Sequence, residues 1–100
     1  MTEKYIARSW AVAARMLGGE MMIMSADSTL FTLNRQATII WNAADGVTPL
    51  REIVEREICG VFEVDPAVAY QDAEDLVRDL AGHGILILSG QPAVGRETAP

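Results

Sequence analysis

Few residues in this chain could do covalent chemistry, and their spacing suits catalysis poorly. Cys59 is the single cysteine and His83 the single histidine. A Cys–His nucleophilic pair would have to join these two, yet they fall at the ends of different expected helices and no neighbouring group activates either. Cys59 reads instead as a small, partly buried apolar residue, and alone it forms no intrachain disulfide or cysteine-rich zinc site. Gly18-Gly19 lacks the G-x-G-x-x-G spacing and the following helix of a phosphate loop. The carboxylates say more. Asp72, Asp75 and Asp79 recur with Val68 at helical spacing, without the Asp/Asn–Gly loop of an EF-hand. This stripe is either a solvated helix face or the electronegative wall of a groove rimmed by Val68 and Leu76. Neither reading calls for a catalytic residue, a metal or a cofactor, so binding is expected rather than catalysis.

The bulk properties agree. One hundred residues, half of them hydrophobic and 22% charged, make one globular domain with a modest core. A net charge of -6 repels phosphate backbones and favours a basic or hydrophobic partner. No stretch approaches the roughly 20 apolar residues of a membrane span, and MTEKYIARSW lacks the apolar run of a signal peptide. A reduced cytoplasm is the expected location.

The elements that would position the acidic stripe follow in order. Residues 1–8 read as a flexible arm, 9–88 as the folded domain and 89–100 as a disordered Gly/Pro-rich tail. Ser9 to Leu17 reads as a first strand, with Gly18-Gly19 as a hairpin turn. Glu20 to Met24, apolar on both faces, suits a middle strand covered on each side. The methionines at 16, 21, 22 and 24 read as core. Thr29-Leu30-Phe31-Thr32-Leu33, rich in β-branched and aromatic residues, forms the third strand of an antiparallel meander. Phe31 and Leu33 face inward there, and Leu30 and Thr32 outward. The middle strand occupies one edge of this third strand and leaves the other for an outside chain.

Asn34 then caps a first helix, whose stripe is Ala37, Ile40, Trp41 and Ala44 and whose stop is Asp45-Gly46. Thr48 as cap and Pro49 as first residue open a second helix that ends at Cys59-Gly60. Asp65-Pro66 repeats the device and opens the longest helix, to about Gly82, with Ala69, Ala73, Leu76, Val77 and Leu80 as its core stripe. Ile85 to Leu88 is a last strand or a segment folded back on the helices. Strands grouped before helices argue an α+β fold with helices on one face of the sheet.

At this point the residues resemble a known family. Leu33-Asn34, Ala37, Ile40-Trp41, Asp45-Gly46, Thr48, Glu52-Ile53-Val54, Val64-Asp65, Asp75-Leu76, Leu80 and Gly84-Ile85-Leu86 follow the order and spacing of PqqD-like proteins, over roughly Ser25 to Leu88. The resemblance implies a small winged-helix-turn-helix-like domain, a three-stranded antiparallel meander followed by three helices. It also implies a peptide chaperone that binds the leader of a ribosomally made precursor and presents it to a modifying enzyme, commonly a radical-SAM protein. In the namesake pathway the product is pyrroloquinoline quinone, and related domains serve lasso and other modified peptides. By position, the leader would add as a strand along Thr29, Leu30, Phe31, Thr32 and Leu33. Its side chains would enter a groove walled by Val68, Asp72, Asp75, Leu76 and Asp79. Arg35, where many members carry an acidic or small residue, and the ICGVFEV linker depart from the pattern and bear on leader preference.

A winged-helix DNA-binding regulator is the alternative that the helix order allows. Its recognition helix would need basic residues, whereas the third helix offers its aspartates and Glu74 against a lone Arg78. The free sheet edge also permits a homodimer by strand pairing or exchange.

Overall fold

The computed structural model describes residues 3–92, so Met1, Thr2 and residues 93–100 of the expected tail lie outside the described residues. The architecture is α+β. Antiparallel strands form two three-stranded sheets, β5-β1-β6 and β2-β3-β4, packed with helices around one core.

The meander is where the sequence placed it. Strand β2 (Ala13–Leu17) pairs with β3 (Glu20–Met24), and β3 pairs with β4 (Leu30–Leu33). Gly18 and Gly19 have φ of 59° and 87°, the doubly left-handed backbone that a two-residue hairpin with the natural strand twist requires. At the next turn the Ser25 N–H donates to the Thr29 carbonyl, and the Thr29 N–H donates to Ser25 Oγ and Asp27 Oδ1. Two expectations fail here. The first strand starts at Ala13 rather than Ser9, because Ser9 Oγ accepts from the Ala11 N–H and turns the chain, leaving Trp10 91% exposed. Strand β3 is covered on one face only. Met21 and Ile23 are buried, whereas Met24 lies open and Met16 on β2 is half-exposed, so these methionines divide between core and surface.

Asn34 caps α1 (Arg35–Ala43) as its side chain predicts, with Oδ1 accepting from the Ala37 N–H at 2.8 Å. One turn on, Thr38 is a buried polar residue with a structural task. Its hydroxyl accepts from the Met21 N–H at 3.1 Å and donates to the Leu33 carbonyl at 3.1 Å, tying α1 to both β3 and β4.

The second sheet was not expected. The segment read as a loose arm holds β1 (Tyr5–Arg8), the central strand between β5 (Asp45–Pro49) and β6 (Leu86–Ser89). Ile6 is fully buried. Tyr5 pairs with Ser89 and Arg8 with Leu86, which makes Ile85 to Leu88 mostly strand and draws Ser89 out of the expected tail. The expected start of the second helix is also corrected. Asp45 accepts from the N–H groups of Val47 and Thr48 and from the Thr48 hydroxyl, so Thr48 stands in β5 and caps no helix. Pro49 ends β5, and α2 (Leu50–Ile53) begins one residue later.

Helix α2 runs on as a π-helical turn, Val54–Ile58, closed by the Cys59 N–H on the Val54 carbonyl. A side chain at Gly60 would meet the Arg56 carbonyl oxygen at 2.7 Å, so only glycine fits the exit. Asp65 caps α3 (Pro66–Gly82), and its far end closes with the Ile85 N–H on the Leu80 carbonyl and the Gly84 N–H on that of Ala81, with Gly84 left-handed at φ 77°.

Two substitutions test these assignments by urea denaturation. Ile6→Ala should lose about 2–5 kcal/mol, the range for truncating a core residue, where a loose arm would lose nothing. Thr38→Val strands a buried donor and acceptor and should cost about 1–3 kcal/mol, with Thr38→Ser recovering most of it.

Candidate functional site

Among the described residues, strand β4 pairs on one side only, with β3. In an antiparallel ladder, residues alternate between exchanging main-chain bonds with the partner and turning those groups away. The Ser25–Thr29 bond sets the phase, so Thr29, Phe31 and Leu33 point their N–H and C=O toward β3. Leu30 and Thr32 turn theirs to the free edge. Both have exposed side chains on the outer face.

Helix α3 runs antiparallel to this edge. At one end the Phe31 ring lies 4.9 Å from the His83 ring, at the last turn of α3. At the other end, Asn34 shares a depression of about 200 Å³ with Val68, Asp72 and Leu76 from the first half of α3. Ala37 and Ile40 of α1, Ile58, and Ala69 and Ala73 of α3 form its apolar wall, with Val64 and Gln36 on the rim. The hollow exists because α3 turns small residues toward α1. Alanine at 69 and 73 fills the helix interface without filling the space above it.

The sequence-expected residues divide accordingly. Val68, Asp72 and Leu76 line the hollow, and Leu30 and Thr32 border the free edge. Leu33 is buried in the core, and Phe31 packs against it beside His83. Thr29 lies in the turn before β4, its main chain already bonded to Ser25 and Asp27. Asp75 and Asp79 stand apart from the hollow. Asp75 accepts from Gln71 Nε2 at 3.3 Å and lies 3.7 Å from Arg78, while Asp79 lies 3.7 Å from His83 Nε2. Sequence reasoning missed Asn34, Gln36, Ile58 and Val64 as lining residues, and gave Ala37, Ile40, Ala69 and Ala73 to the core alone. The alanine pair on α3 was the available signal, since small residues on a buried stripe leave room.

Arg35 lies with its guanidinium carbon 5.4 Å from the Phe62 ring centre, which docks the linker between the second and third helices beside the hollow. Cys59 is a free, half-buried thiol, and no hydrogen bond joins it to His83 among the described residues. No group of three or more His, Cys, Asp or Glu among those residues is placed to hold a metal ion.

A scan of protein families matches residues 20–86 to the family described as Coenzyme PQQ synthesis protein D (PqqD). The chain belongs to the PqqD family. Among solved structures, TbiB1 in complex with the TbiA(beta) leader peptide is similar, with a TM-score of 0.73 and 27% sequence identity over 81% of this chain and 94% of that one. No match is found among curated proteins. The family match begins at Glu20, the first residue of β3, and therefore takes in the β3–β4 hairpin and every residue that lines the hollow. Among the described residues, no helix is long and apolar enough to cross a membrane.

The far side of α3 is anchored by charge. Lys4 Nζ lies 2.8 Å from Glu74 Oε2, joining the start of β1 to the helix. That hydrogen bond holds the Glu74 carboxyl below its ordinary 4.5 and raises Lys4, against the opposing push of partial burial on each. For Glu74 the folded-state value lies below the unfolded one, so its stabilisation is present above pH 4.5 and is lost as pH falls through the folded value. Asp45 adds to the same trend. Burial raises it, but the donors from Val47 and Thr48 together outweigh that and leave it below its ordinary 3.8. Urea midpoints of Glu74→Gln between pH 3 and pH 7 should therefore show a shallower acid loss than those of the parent protein, with Asp45 leaving a residual slope.

Proposed function

We propose that this protein is a non-catalytic chaperone for the leader of a ribosomally made precursor peptide, which it presents to a peptide-modifying enzyme. The observation that carries the reading is that β4, whose outer edge is unpaired among the described residues, leads at Asn34 into an apolar hollow on α3. An extended peptide pairs with such an edge through the main-chain groups of Leu30 and Thr32, while alternate side chains turn toward α3. The main-chain bonds supply affinity for any extended peptide and the hollow supplies selection. Membership of the PqqD family and the likeness to a structure holding a leader peptide support a leader-binding role. Val68, Asp72 and Leu76 are proposed as the selecting wall, with Asp75 and Asp79 further along the same helix.

The enzyme served is proposed to be a radical-SAM or other peptide-modifying protein, and pyrroloquinoline quinone biosynthesis is one pathway that family membership suggests. A DNA-binding role fits the electrostatics poorly. Helix α3 shows solvent Asp72, Asp75 and Asp79 against Arg78, which would meet a phosphate backbone with like charge.

The experiment is an NMR titration of the labelled protein with the leader of a precursor encoded beside it. Shifts should concentrate at Leu30 to Leu33 and Val68 to Leu76, and shifts confined elsewhere would sink the edge model. Thr32→Pro sharpens the test. Proline is tolerated on an edge strand whose N–H faces outward, so the fold should survive by circular dichroism. Leader affinity should fall about tenfold, the upper end of one lost hydrogen bond.

A further inference from the structure

The hollow beside β4 has one ionisable group among its lining residues, Asp72. Of its acidic neighbours on α3, Glu74 is engaged with Lys4 and Asp75 with Gln71 and Arg78, while Asp79 lies beside His83 and outside the hollow. Asp72 makes no ion pair and accepts no hydrogen bond among the described residues. It stands exposed on the rim, above an apolar wall that includes Ala69 and Ala73.

Spacing then fixes what reaches it. Alternate residues of a strand lie about 6.6 Å apart, and helix positions four apart rise about 6 Å. Successive side chains turned inward by a strand that runs along β4 and on past Asn34 therefore meet successive turns of α3, which at the hollow are Leu76, Asp72 and Val68. A side chain placed opposite Asp72 crosses apolar surface from Val68 and Leu76 before its end meets the carboxylate. Lysine and arginine have that build, an apolar stem with a cationic tip. An acidic side chain would meet both Asp72 and the field of a chain whose net charge is -6.

We infer that the leader presents Lys or Arg to Asp72, two residues from the apolar side chain that fills the hollow. This rests on the leader-binding reading and adds to it the chemical pattern of the peptide selected. Because the pair sits on an exposed rim, it contributes discrimination of about two- to fivefold at low salt, shrinking as ionic strength rises.

The test is selection from a pool of short synthetic peptides of random sequence by the intact protein and by its Asp72→Asn and Asp72→Lys variants. Asp72 is exposed and bonded to no other side chain among the described residues, so both variants should match the parent fold by circular dichroism. The parent should select an apolar residue with Lys or Arg two positions away. Asp72→Asn should keep the apolar preference and lose the basic one, and Asp72→Lys should replace it with Glu or Asp. A basic preference unchanged in Asp72→Lys, or a parent motif without charge preference, overturns this inference and leaves leader binding standing. Failure of the parent to select any peptide overturns both.

Discussion

The site depends on one buried hydroxyl. Thr38 sits one helical turn into α1, yet it bonds the Met21 N–H of β3 and the Leu33 carbonyl of β4. A strand that runs directly into a helix has main-chain groups at the junction that neither element satisfies by itself. Burying them without partners would cost about 1–3 kcal/mol each. Threonine satisfies two with one side chain, and Asn34 satisfies the Ala37 N–H beside them. The angle between β4 and α1 is thereby fixed, and with it the placement of β4 relative to α3, which packs on α1 and touches Phe31 through His83. A looser joint would let the hollow close or gape.

Helix α3 then serves three surroundings at once. Ala69, Ala73, Val77 and Leu80 face the core, Glu74 ties back to Lys4, and Val68, Asp72 and Leu76 line the hollow shared with Asn34. Its acidic residues, which looked alike as a stripe, are placed in different company. Asp75 lies by Arg78, Asp79 lies by the His83 ring, Glu74 is bound to Lys4, and Asp72 remains open to solvent. The same helix is thus rigidly held on one side and chemically available on the other.

How much of this was legible in the sequence follows from where the signals are local. The meander, the Asn34 and Asp65 caps and the long third helix were all readable, because turn glycines, caps and periodicity act over a few residues. The sheet around β1 was not. Tyr5–Arg8 is short, offers one fully buried residue, and owes its strand to partners from distant parts of the chain. Thr48-Pro49 misled for a related reason. The pair looks like a helix start in isolation, but Asp45 claims the Thr48 hydroxyl and its N–H, and Lys4 supplies the carbonyl that the Leu50 N–H would otherwise lack. The candidate groove was half-readable. Its apolar and acidic rim lies on one helix, whereas its alanine wall declares itself only once α1 and α3 are packed together.

The pairing of Tyr5 with Ser89 also orders the protein's birth. The β2-β3-β4 hairpins and α1 are near neighbours in sequence and can assemble as soon as they clear the ribosome. Strand β1 precedes the other described strands in the chain, yet it waits for β5 on one flank and for β6 on the other. The unit that carries the β4 edge is therefore complete before the sheet that locks the domain shut. Until Leu86–Ser89 is made, the β4 edge stands formed while Ile6 still lacks one flank of its sheet.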